Sequence, residues 1–159
     1  MAVILGIDPG THRLGWGIIS GSATKQSYIA SGCIENAPHT TPDIYLPNIH
    51  REISTIITQY QPDTIGIESL LFQKNVSTAL SVAEARGVIR LLAAQNNIPV
   101  IESAPNTIKL AVAGVGSAGK DEVTRMVGLL LGIEVSKKRD DELDALAVAI
   151  STIVTNKNI

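Results

Sequence analysis

The chain is poor in the residues that build covalent or zinc-bound frameworks. It has one cysteine, Cys33, so no internal disulfide can form, and a lone thiol fits a reducing compartment. We read Cys33 as a buried, inert thiol and the compartment as the cytoplasm. The three histidines, His12, His39 and His50, lack the paired spacing of zinc ligands. No apolar run reaches the ~18 residues that a membrane span needs. The opening stretch MAVILGIDPG has neither the basic start nor the small-residue cleavage site of a secretory leader, so its apolar run reads as a strand. An excess of positive charge is missing too. Thirteen basic residues face fifteen acidic ones, a net charge of −2, which on its face argues against a nucleic-acid partner.

What is present is a foldable core. Apolar residues make up 45% of 159, enough for a single domain over residues 1–159 with little room for a second. AVILGID is short, β-branched and closed by Pro9-Gly10, as a buried strand would be. GWGIIS and QSYIASGCIE flank the turn GSAT and complete a meander of three antiparallel strands. Isoleucines 49, 53, 56 and 57 repeat at helical spacing over 44–60, and Pro62-Asp63 ends that helix. TIGIE is a fourth strand. Residues 75–96 form a helix that is apolar nearly all the way round, the mark of a core helix or a subunit contact. IPVIE is a fifth strand. A short helix near NTIKLAVA, the glycine loop GVGSAG, a helix through DEVTRMVGLLL and the acidic helix DDELDALAVAI complete the chain. The order βββ-α-β-α-β-ααα predicts one mixed sheet flanked by helices, an α/β fold.

The acids carry the chemistry. DDELD puts four carboxylates into five positions at the start of a helix. One or two would suit the helix dipole; four repel one another unless a cation sits between them. Asp141 and Asp144 are three apart and share a helical face, while Asp140 and Glu142 read as solvated helix-start residues. Leu143, Leu146, Ala147 and Ile150 form the opposing apolar face expected to hold this helix on the sheet. Asp8 and Glu68 each close an apolar strand, and crossover connections gather strand tips at one edge. Together, Asp8, Glu68, Asp141 and Asp144 would be an all-oxygen donor set, suited to Mg²⁺ or Mn²⁺. Two such ions ~4 Å apart can clamp the attacking and leaving oxygens of a phosphodiester. With these four acids set aside as ligands, eleven remain against thirteen cations, a balance of +2.

GIDPGTHRLGWG, IGIESLLFQKN, ARGV, GVGSAGKDEV and DELDALAVAI follow the order and spacing of the RuvC-type Holliday junction resolvases. The resemblance covers essentially the whole chain. It implies a ribonuclease H-like fold, with three antiparallel and then two parallel strands. It also implies a homodimer that resolves four-way DNA junctions in recombination and repair by symmetric, Mg²⁺-dependent nicks, leaving 5′-phosphate and 3′-hydroxyl ends. Asp8, Glu68, Asp141 and Asp144 fall on that family's catalytic metal ligands, two Mg²⁺ per site with Mn²⁺ as a substitute, and Asp8 matches the acid that bridges both ions. Lys109 and Lys120 match basic positions near the scissile phosphate, where a lysine holds a phosphate and stabilises transition-state charge. A branch-migration motor is a further partner that the resemblance implies.

Other residues suggest DNA contacts. Arg13 follows Asp8 and Lys74 follows Glu68, each placed for a backbone phosphate. SKKR, residues 136–139, either guides DNA or balances the neighbouring acids. Phe72 is the only phenylalanine; it either stacks on a base at the junction centre or plugs its own core. Similar enzymes carry the wedge aromatic three residues after the glutamate, where this chain has Leu71. A closed two-fold dimer would match the symmetry of a four-way junction, with the 76–94 helix as the seam.

Rival readings fare worse. GVGSAGKD satisfies GxxxxGK, but Asp121 stands where a phosphate-binding loop needs Ser or Thr, and a helix precedes it where a strand is required. No nucleotide cofactor is expected. GIDPGTHRLGWG also looks like the first phosphate loop of actin-like ATPases, which need a second lobe. A junction-binding module without nuclease activity would be expected to lack one of the acids. A nuclease for RNA–DNA hybrids would not be expected to share ARGV and GVGSAGK.

Overall fold

Five strands form one sheet: β1 (Ala2–Asp8), β2 (Arg13–Ser22), β3 (Lys25–Glu35), β4 (Thr64–Glu68) and β5 (Val100–Ser103). The computed structural model describes residues 1–69 and 76–156. The strands lie in the order β3-β2-β1-β4-β5. The first three are antiparallel, and β4 and β5 continue the sheet parallel to β1, as the sequence implied. Among the described residues five helices flank it: α1 (Pro42–Tyr60), α2 (Val76–Gln95), α3 (Pro105–Ala113), α4 (Lys120–Leu131) and α5 (Asp140–Thr155). A single 3₁₀ turn at Val135–Lys137 was not anticipated. β5 also starts later than expected. The Ile98 N–H is spent on the Ala93 carbonyl at the end of α2, and Pro99 has no N–H to give, so pairing begins at Val100.

Alternation along the strands sorts the core into two layers. Leu5, Ile7, Leu14, Ile18, Ile65 and Ile67 face α1 and α2, where they meet Ile49, Ile53, Ile56 and Ile57 of α1 and Ala85 and Ile89 of α2. Ile4 and Ile19 face the other way. They join Leu146, Ile150 and Ile153 of α5, with Ile108 and Val112 of α3 and Val127 and Leu131 of α4.

On the α5 side, glycine replaces side chains along a line across three strands. Gly6 is in register with Gly17 on β2 and with Gly66 on β4. A Cβ on Gly6 would lie 2.6 Å from the Ala149 nitrogen, and one on Gly17 would lie 2.6 Å from Leu146 Cδ2. At Gly66 a Cβ would overlap the Thr152 hydroxyl, and at Gly15 the Asp141 carbonyl. The helix therefore rests on bare backbone. The expected packing face is part of this contact. Leu146 meets the sheet at Gly17, while Ala145, Ala149 and Thr152 come closer to the bare backbone. Leu143, Ala147 and Ile150 share a cluster with Ile4 and Ile19 of the sheet and with α3 and α4. From Glu142 to Ile153 every residue except Asp144 is buried, so α5 is a core helix rather than an amphipathic one.

Candidate active site

The same register that seats α5 brings the acids together. Ile7 pairs with Ile67, so Asp8 and Glu68 end adjacent parallel strands, about 4.8 Å apart in the pairing direction. Both share strand parity with the glycines beneath α5 and face that helix. Gly15, the antiparallel partner of Asp8, lies directly under Asp141. Two strand tips and the first turn of α5 therefore meet at one edge. Asp144 and Glu68 line an open cleft of about 220 Å³ with Pro105, Ile108, Lys109 and Lys120.

Electrostatics register this crowding. Burial, then the charges of Asp144, Glu68 and Asp141, push the Asp8 carboxyl from 3.8 up to about 7, with Lys120 working against the rise. Burial and then Asp144 raise Glu68, opposed by Arg86 and Lys109. Asp144 is raised by burial, opposed by Lys120, and raised further by Asp140 and Asp141. Partial burial pulls the Lys120 ammonium down, but contacts with Asp140 and Asp144 more than offset this and hold it above its ordinary value.

The donor set fits a hard divalent cation in kind: oxygen ligands only, with more negative charge than the surroundings neutralise. Backbone placement fits as well, because the acids converge from three elements. Among the described residues, no three His, Cys, Asp or Glu side chains form a ready-made ligand cage. Asp144 pairs with Lys120, at 3.4 Å.

The remaining sequence expectations divide. Lys120 and Lys109 both reach the cleft. Lys120 opens α4, bridging to Asp140 at 3.2 Å as well as to Asp144. Asp140 is exposed, as expected for a helix-start residue. Glu142 is not. It is buried and accepts from the Arg139 N–H at 2.9 Å and from the Ser31 hydroxyl at 3.0 Å. Lys138 sits 3.7 Å from it and donates to the Tyr28 hydroxyl at 2.7 Å. Glu142 thus caps α5 and fastens its first turn to β3, a role its position three residues after the helix cap could have signalled.

The cations of SKKR are balanced within the fold: Lys137 by Glu134, Lys138 by Glu142 and Arg139 by Glu35. Arg13 is exposed at the start of β2, opposite Glu35 in register. Cys33 is half-buried rather than buried, with its thiol 4.0 Å from Asp141 Oδ2. Burial and then Asp141 raise its pKa, offset in part by Arg139 and Arg13, which keeps the thiol protonated and unreactive. Leu71, Phe72 and Lys74 lie outside the described residues. Glu102 and Arg86 carry no sequence motif that assigns them a structural role. On the structure they pair at 2.6 Å beside Glu68, a link between helix and strand that no local pattern encodes.

A mixed sheet in this strand order, with α5 across one face and acids at its edge, is a ribonuclease H-like fold. The sequence profile described as crossover junction endodeoxyribonuclease RuvC matches residues 4–152. A protein of that name from Moorella thermoacetica is 45% identical over 148 residues, covering 93% of this chain and 89% of its own length. Its namesake from Pseudothermotoga lettingae is 41% identical over 147 residues, 92% and 91% of the two chains. The solved structure of T. thermophilus RuvC in complex with Holliday junction substrate superposes with a TM-score of 0.90 at 28% identity, covering 95% of this chain and 92% of that one. The chain belongs to the crossover junction endodeoxyribonuclease RuvC family.

Proposed function

We propose that the chain resolves four-way DNA junctions in recombination and repair as a divalent-metal-dependent endonuclease, with Asp8, Glu68, Asp141 and Asp144 holding the metal. The observation that carries this reading is the convergence of β1, β4 and α5. It leaves Asp8 half-buried among three other carboxylates whose charge Lys120 only partly offsets. Family membership supports the substrate, since a relative of the same fold has been solved on a Holliday junction.

Two Mg²⁺ ions, or Mn²⁺ in their place, would supply an activated water and charge stabilisation at the leaving oxygen. The chain's own residues orient and exclude. Asp8, between the tips of β2 and β4, would hold the metal from the centre of the site. Glu68 and Asp144 open onto the cleft, and Asp141 closes the side nearest β2. Lys120, paired with Asp144 at 3.4 Å, would hold a phosphate oxygen if that carboxylate held an ion. Lys109, which also lines the cleft, would do the same work. Arg13 and Lys74 are proposed as backbone-phosphate contacts beyond the cleft, and Leu71 or Phe72 as the junction wedge. The products are 5′-phosphate and 3′-hydroxyl ends.

A two-fold dimer gives such a substrate two matched sites. Its proposed seam is α2. One face is core, while Leu80 and Leu91, three turns apart on the opposite face, are 61% and 54% exposed. Sedimentation at micromolar concentration is expected to give a dimer; a monomer throughout the range would remove the symmetric-cut reading. A branch-migration motor as a further partner rests on the family resemblance, and work in the cytoplasm on the single cysteine. Among the described residues, no helix is long and apolar enough to cross a membrane.

Incubating the protein with a four-way junction, a duplex and an RNA–DNA hybrid, with and without Mg²⁺, tests the whole reading. Cleavage of the junction alone, and only with metal, is the expected result. Asp8→Asn is expected to abolish cleavage while junction binding survives; loss of both together would make Asp8 a structural residue instead.

A further inference from the structure

The group that the cleft chemistry leaves unexplained is a buried arginine behind it. Arg86 on α2 is 7% exposed, and an uncompensated guanidinium there would be costly. Its Nη1 donates to the main-chain carbonyl of Glu68, and its Nη2 donates to Glu102 Oε1 at 2.6 Å. Arg90, one turn further along α2, donates to the same carboxylate oxygen. The Glu68 carbonyl marks the point where β4 ends. The next amide, Ser69 N–H, donates to the Ser103 carbonyl at 2.9 Å, and Glu102 stands in register with Ile67. Arg86 therefore ties α2 to both parallel strands at the peptide from which the Glu68 side chain leaves. A planar fork can satisfy two acceptors at a fixed angle, which a lysine ammonium on a flexible stem does not.

We propose that Arg86, anchored by Glu102, is a positioning residue that fixes the Glu68 carboxylate for divalent-ion binding, acting through the peptide carbonyl rather than by touching substrate. The role rests on Glu68 being a metal ligand. Groups that orient metal ligands from behind typically change ion affinity or activity by ~10- to 100-fold when removed. A residue that merely stabilised the sheet would leave ion affinity alone in whatever protein remained folded.

The test compares Arg86→Met, Arg86→Lys and Glu102→Gln, with Glu68→Gln as the control. Three readouts are taken: Mn²⁺ affinity by calorimetry without DNA, single-turnover junction cleavage, and junction affinity in chelator. Arg86→Met is expected to weaken Mn²⁺ binding and slow cleavage by ~10- to 100-fold, leaving junction affinity in chelator unchanged. Arg86→Lys is expected to recover part of both losses, and Glu102→Gln to show a smaller loss in the same direction. Wild-type Mn²⁺ affinity in folded Arg86→Met overturns the proposal. Should that variant not fold, unchanged affinity in both Arg86→Lys and Glu102→Gln overturns it equally. Wild-type Mn²⁺ binding and cleavage in Glu68→Gln would instead overturn the assignment of Glu68 itself. An inactive Glu68→Gln beside normal Arg86 variants would refute the positioning role alone.

Discussion

Replacing Asp8 with asparagine should make the metal-free protein more stable while destroying its activity. The Asp8 carboxyl lies at about 7 in the folded chain against 3.8 in its ordinary state. At about 1.4 kcal/mol per pH unit, that difference corresponds to a ceiling of about 4 kcal/mol. The side chain is only partly buried, so solvent screening lowers the expected figure to about 2 kcal/mol. The sign follows from proton counting. Between about pH 4 and pH 7 the folded state binds more protons than the unfolded chain, so stability falls as pH rises through that window. The whole deficit is present at pH 8. Asparagine has the same shape and no charge, so Asp8→Asn removes the deficit at pH 8 and matches wild type near pH 4. Thermal melts in chelator at both pH values are the assay. For a chain of this size, about 2 kcal/mol is a rise of roughly 4 to 8 °C. Adding Mg²⁺ should then raise the wild-type midpoint more than that of the variant, because bound ions stabilise only the form that holds them. An Asp8→Asn protein less stable than wild type at pH 8 in chelator, with an undiminished response to Mg²⁺, would show that Asp8 is not in an uncompensated carboxylate cluster.

Two further substitutions probe the seat of α5 and the mouth of the cleft. Gly6→Ala would set a methyl 2.6 Å from the Ala149 nitrogen, so the helix must lift; denaturant melts should show a loss of about 3 kcal/mol. Cleavage by the folded fraction should fall as well, because Asp141 and Asp144 ride on the same helix. Lys109→Ala combined with Lys120→Ala should slow cleavage strongly with little change in melting temperature. The Lys120 pairs with Asp140 and Asp144 are exposed, and such pairs contribute ~1 kcal/mol or less. A collapsed melting temperature with normal cleavage by the folded remainder would make those lysines structural.

Period and punctuation made most of the fold legible. β-branched runs ended by Pro9-Gly10 or bounded by Pro62-Asp63 became β1 and β4, and the isoleucines at 49, 53, 56 and 57 became the buried face of α1. Strand register was not legible, and the glycine line depends on it. Gly6, Gly17 and Gly66 stand far apart in the chain, and only the pairing of β1 with β2 and β4 aligns them under α5. Without register, the sequence points to the largest residues of the helix face, whereas small ones make the closest approach to bare backbone. The Arg86–Glu102 pair was hidden for a similar reason: it joins a helix to a strand across 16 positions, a separation with no characteristic period.

The acidic run itself turns out to be a mixture. Asp140 meets solvent and Lys120, as a helix-start carboxylate should. Glu142 is a buried cap satisfied by a main-chain amide, a serine and a lysine, so its charge is consumed by structure. Asp144 has a cation at hand that can let go. Thus at least two of the four acids that drew attention have ordinary compensation, and the run alone would not demand a metal. The demand comes from Asp8, a single acid in an apolar strand end, where burial and three neighbouring charges act together. A helix start can tolerate clustered acids because water and the dipole stabilise them. A half-buried strand tip has less water and no such dipole, and the proposed role of Asp8 as a metal ligand rests on that cost.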